Sequence, residues 1–258
     1  MSWLLLGAFA SLALLGGIAT AQVPLLRAPS DNVQLRLRAD IVPQVLPHSA
    51  RRPVALAARV DLDTVDGTIP PPPTRLGFDL DRDLALVVQG RARCQLPGRA
   101  VRRDLGEIKQ ICGPAVIGEG FLRVAIQFPG DVSIPGTSKL LIVNGADGRG
   151  GASLYALAEI VQPISTFITM SVAIEQKPRG PFGPRLTLTV PRIANGQGTI
   201  ELLELRFPRR VPVGGAAGIA RLRCVDGGVA LGVRASLADG SLALANTRLP
   251  CWSRQPFS

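Results

Sequence analysis

The chain has 258 residues, a formal net charge of +10, 47% hydrophobic and only 4% aromatic residues, four cysteines and one histidine. The single histidine, His48 between Pro47 and Ser49, excludes multi-histidine metal sites and leaves any Ser-His-Asp or Cys-His arrangement resting on one loop residue. So few aromatic rings count against base stacking and sugar platforms, so no specific nucleic-acid recognition is expected.

Residues 3–18 form an uncharged apolar run, and Ala19-Thr20-Ala21 before Gln22 has the small-residue form of a cleavage site. This reads as a secretory signal peptide over 1–21, with retention as an anchor the alternative, and no transmembrane span is expected after cleavage. Residues 22–258 then form a single all-β domain. Arginine supplies most of the positive charge, since the lysines are only Lys109, Lys139 and Lys177. Guanidinium groups favour bidentate pairing with carboxylate or phosphate.

Along the mature chain the dominant pattern is period two. Leu35, Leu37, Ala39 and Ile41 alternate with Gln34, Arg36, Arg38 and Asp40, then Leu56, Ala58, Val60 and Leu62 with Ala57, Arg59, Asp61 and Asp63. Asp66-Gly67 turns the chain into the Pro70 to Pro73 run, which reads as an extended surface crossover. Leu76, Phe78 and Leu80 mark a third strand, and Leu84 to Val88 a fourth. The rhythm then breaks. Between Cys94 and Cys112, Val101, Leu105, Ile108 and Ile111 recur at helical spacing after Pro97, which predicts one short amphipathic helix.

Alternation returns with Leu122, Val124, Ile126 and Phe128, and the run Lys139 to Val143 is expected to end at an Asn144-Gly145 turn. Further strands are read at Leu154 to Val161 and at Thr166 to Glu175, the latter burying Ile168, Met170, Val172 and Ile174. A Pro/Gly loop at 177–184 then leads into Leu186, Leu188 and Val190. Ile219 to Val225, Val229 to Ala238 and Ser241 to Ala245, joined at Asp226-Gly227-Gly228 and Asp239-Gly240, read as a three-strand meander. The fold class is therefore all-β, an antiparallel sandwich or barrel of about a dozen strands with one short disulfide-bounded helix. Gly67-Thr68-Ile69 echoes Gly198-Thr199-Ile200 and Leu76-Gly77-Phe78 echoes Leu205-Arg206-Phe207, which leaves open two duplicated halves at about 33–161 and 165–251.

An exported chain with four cysteines suggests disulfides, for which sequence allows three pairings. Chain order and local context favour Cys94 with Cys112 and Cys224 with Cys251. Zinc is not expected, because neither Cys-x-x-Cys spacing nor paired histidines occur.

The Asp66-Gly67-Thr68 and polyproline element, the cysteine-bounded helix and the Ala115-Val116-Ile117-Gly118-Glu119-Gly120 strand together resemble a group of uncharacterised secreted β-rich proteins of high-GC Gram-positive bacteria. The resemblance implies export and a β-rich fold, and it carries over no catalytic residue.

Two side-chain groups are candidates for chemistry. Asp61, Asp63, Asp79 and Asp81 share the outward phase of their strands and converge if those strands pair, as a calcium site needs; calcium is the one cofactor considered. The D-L-D-T-V-D-G stretch fails as an EF-hand loop, since Pro72 stands where the closing Glu belongs. Arg91, Arg93, Arg99, Arg102 and Arg103 form the leading anion-binding candidate, with further clusters at Arg51-Arg52, Arg206 to Arg210 and Arg221-Arg223. The leading expectation is an exported non-enzymatic structural or binding protein of the cell envelope, with an anionic polymer or lipid headgroups as partner. The alternative is a calcium-assisted or carboxylate-based hydrolase of an envelope polymer, and a third reading is a lipid carrier, which needs an interior cavity. Oligomeric state is not legible.

Overall fold

The computed structural model describes residues 32–95, 104–130, 132–146, 152–163, 165–211 and 215–254. The signal-peptide stretch, Arg99, Arg102, Arg103 and the 147–151 loop lie outside them. The first strands are β1 (Val33–Val42), β2 (Val45–Pro47), β3 (Arg52–Pro53), β4 (Ala55–Thr64), β5 (Pro73–Asp81) and β6 (Leu84–Leu86). Helix α1 (Leu105–Cys112) is followed by β7 (Val116–Phe128), β8 (Val132–Ala146), β9 (Ala152–Ile160), β10 (Thr166–Arg179) and β11 (Phe182–Thr189). The chain closes with β12 (Gly198–Phe207), β13 (Ala220–Leu222), β14 (Gly228–Leu237), β15 (Leu242–Pro250) and β16 (Trp252–Arg254).

Eleven of these strands form one antiparallel sheet in the order β1-β4-β12-β7-β8-β9-β10-β11-β5-β14-β15. It curls until β15 lies beside β1, so the barrel is nearly closed. An odd number of alternating strands leaves its first and last members parallel, and no ladder joins these two among the described residues. Strands from the two halves of the chain interleave, as in β4-β12-β7 and β11-β5-β14, so the halves do not build separate sheets.

The alternation read from the sequence sends one side chain in two inward. Leu122, Val124, Ile126, Leu140, Ile142, Met170 and Leu188 are all essentially inaccessible, and the barrel interior is filled by such side chains. A lipid carrier of the barrel type would need that space open. One barrel end, where β1 finishes and β7 begins, is capped. There β3-β13-β6 forms a separate three-stranded antiparallel sheet, and β2 and β16 make a parallel pair beside it. Val54, Leu84, Ile219 and Leu222 fill the junction between cap and barrel.

Helix α1 lies on the outer wall. Its N-cap Asp104 accepts from the Glu107 amide at 2.7 Å, as a capping carboxylate does. Ile108 and Cys112 pack with Leu141, Val143 and Leu157 into a second, smaller cluster. Ile111, expected on the buried face, is 57% exposed, because so short a helix buries only the narrow stripe through Leu105, Ile108 and Cys112. Both disulfides join as read, Cys94–Cys112 and Cys224–Cys251, closing loops with sequence separations of 18 and 27.

Three local expectations are corrected. Asn144-Gly145 is not a turn but lies inside β8, opposite Leu154 and Ser153. The Asn144 side chain donates to the Ala92 carbonyl at 2.9 Å and Cys94 bridges to Gly145, so extra bonding to the preceding loop holds the strand extended. The Pro/Gly stretch is mostly hairpin, with β10 running to Arg179 and Gly180 at φ 59° turning the chain into β11. The three-strand meander is only two strands, because β13 leaves the barrel to pair with β3 and β6 in the cap.

At the opposite end the Asp66-Gly67 turn forms as read. Asp66 accepts from the Thr68 hydroxyl at 2.6 Å and amide at 3.0 Å, and from the Asn32 amide group at 3.1 Å. The Thr68 hydroxyl above all holds the Asp66 carboxyl down at about 2.

Candidate functional site

The cap positions the most distinctive polar feature of the chain. In β13, Ala220 and Leu222 point into the core and are fully buried, so alternation places Arg221 on the other side of the cap strand. The loop after β6 runs past it and is pinned along its length. Val87 donates to the Ile219 carbonyl at 2.8 Å and Cys94 to the Asn144 carbonyl at 2.8 Å. Arg91 reaches the Gly218 carbonyl at 3.1 Å.

Between this loop, Pro114 and Ile117 at the entry to β7, and Val211, Ala216 and Ala217 lies a pocket of about 470 Å3. Among the described residues Arg91 and Arg221 are its two charged members, Gln89 supplies an amide, and no acidic side chain lines it. Arg221 Nε is buried and has no hydrogen-bond partner among the described residues. Such a donor costs about 1–3 kcal/mol when nothing accepts from it. An anion entering the pocket would meet the guanidinium groups of Arg91 and Arg221.

Of the five arginines singled out in the sequence, the structure brings only Arg91 into this pocket. Arg93 is exposed close by and already engaged, while Arg99, Arg102 and Arg103 fall outside the described residues. Arg221 was visible only as half of an Arg221-Arg223 cluster. Its neighbour Arg223 is spent on Asp83 at 2.8 Å.

The four aspartates do not converge. The strands that carry them, β4 and β5, are not neighbours in either direction around the sheet. The expected pairing fails because β4 takes β1 and β12 as partners, and β5 takes β11 and β14. Each carboxylate is satisfied locally instead. Asp61 pairs with Arg59 at 2.9 Å, and that hydrogen bond lowers its carboxyl from the usual value. Asp63 pairs with Arg36, and Asp79 with Arg185 at 2.5 Å and Arg234 at 3.0 Å. Asp81 accepts from the amides of Asp83 and Ala230, both at 2.8 Å, while burial pushes its carboxyl up. Among the described residues no group of three His, Cys, Asp or Glu side chains is placed to hold a metal ion. The sole histidine, His48, is exposed in a bend between β2 and β3.

Among the described residues no helix is long and apolar enough to cross a membrane. No protein-family description, curated protein or solved structure matches the chain.

Proposed function

We propose that this is an exported, non-enzymatic binding protein of the cell envelope whose capped barrel end takes an anionic group between Arg91 and Arg221. The observation that carries the reading is a pocket whose described lining offers two guanidinium groups and no carboxylate, one of them from Arg221, whose buried Nε has no partner among the described residues. A bound phosphate or carboxylate would accept from both arginines, and the surrounding Val87, Pro114, Ile117 and Val211 would exclude water and strengthen that contact.

Export is supported by the apolar stretch ending at Ala19-Thr20-Ala21 and by two disulfides, which persist in oxidising compartments. An envelope partner is supported by the charge of +10 carried mainly on arginine. The purified chain is expected to be retained on cell-wall material at low salt and released as ionic strength rises through about 0.15 M, where screening shortens to about 8 Å. A chain that passes through such material unretained at low salt would remove the envelope polymer from the reading.

A further inference from the structure

The capped end also carries large apolar side chains on its surface. Val45 and Trp252 are 48% and 54% exposed and stand opposite one another in the β2–β16 ladder. Val42, 54% exposed, ends β1 just before them. Trp252 is held in place, since its amide donates to the Gln44 carbonyl at 2.9 Å and the preceding Cys251 is tied to Cys224.

Exposed arginines flank this apolar group. Val42 shares a surface cleft with Phe207 and Pro208, which places Arg209 and Arg210 alongside. Arg51 and Arg52 lie at the start of the cap sheet, where Arg51 uses its guanidinium on the backbone carbonyls of Asp83 and Arg82. None of these four has a carboxylate partner among the described residues. Of the nearby acids, Asp83 is committed to Arg223, Asp226 to Arg82 and Glu119 to Lys109. Asp40, exposed in the Val42 cleft, is the one without an ion pair among the described residues.

We infer that the capped end docks on a lipid bilayer containing anionic headgroups, with Trp252, Val45 and Val42 entering the interface and Arg51, Arg52, Arg209 and Arg210 meeting phosphates. An indole ring suits the boundary between headgroup and hydrocarbon, being apolar over most of its area with one polar N–H. Arginine suits the phosphate. A second copy of the chain is the poorer occupant, because a two-fold contact through this patch would bring two sets of arginines together. The inference rests on the envelope location proposed above but uses neither Arg91 nor Arg221.

The test uses the exported chain, residues 22–258, in which Trp252 is the only tryptophan. On vesicles of phosphatidylcholine with phosphatidylglycerol, Trp252 emission is expected to shift to the blue and to be quenched by brominated acyl chains, with little change on phosphatidylcholine alone. Replacing all four arginines by glutamine should weaken partitioning at least about tenfold. That variant should still bind inorganic phosphate through Arg221, which checks its folding and separates this claim from the pocket. Unchanged Trp252 emission on the anionic vesicles would overturn the inference. So would equal quenching on neutral vesicles, or a blue shift that grows with protein concentration in the absence of lipid.

Discussion

Replacing Asp79 by alanine is expected to lower the unfolding free energy by about 3 kcal/mol, the low end of the range for breaking a buried ion pair. Its side chain is only 7% accessible and receives Arg185 from β11 and Arg234 from β14, so it joins three strands on the outer face of the barrel. Gly77 makes room for this clamp, since a Cβ there would come within 2.9 Å of Arg234 Cγ. Without the carboxylate, two partly buried guanidinium groups would face each other uncompensated. Arg234 is 30% exposed, and the resulting screening is why the low end is chosen. Urea denaturation measures the change. A loss under about 1 kcal/mol, the level expected of the exposed Arg36–Asp63 pair, would show that the clamp contributes no more than a surface contact.

The Cys224→Ala, Cys251→Ala double variant should lose about 3.5 kcal/mol, the chain-entropy estimate for a loop with a sequence separation of 27. Both half-cystines are buried in the main core, and their amides anchor to Pro47 and Gly227. This bond therefore ties the end of β15 and the tail strand β16 to the cap. Its loss should also expose the chain after Pro250 to proteolysis. The Cys94→Ala, Cys112→Ala variant removes a bond that fastens a helix to the outer wall, and it should leave the tail resistant. Urea midpoints and limited proteolysis of the two variants read both effects, and identical proteolysis patterns would contradict this division of labour.

The strands that face water on one side were legible because an antiparallel barrel writes its geometry as alternation. Leu35 to Ile41, Leu56 to Leu62, Leu122 to Ile126 and Ile168 to Val172 all fall in the inward phase that their spacing indicates. The cap was not legible. Its strands β3, β13 and β6 have only two or three residues, too few for a period, and their partners lie far apart in the chain. Asn144-Gly145 carried a turn signal that long-range bonding overrode.

The candidate site divides along the same line. Arg91 stood out by its cluster, whereas Arg221 and Arg223 share a phase and look equivalent in sequence. Only Asp83, 140 positions from Arg223, distinguishes them by neutralising one and leaving the other in the pocket. For the aspartates, phase could be read but neighbours could not. Strand order decides which arginine each one meets.

The most direct measurement is a calorimetric titration of the protein with inorganic phosphate at low salt, alongside the Arg221→Gln variant. Saturable binding by the parent, weakened at least about tenfold in the variant, is the predicted result, in line with loss of a hydrogen bond between charged groups. Equal binding by both proteins, or none by the parent, would contradict an anion site between Arg91 and Arg221.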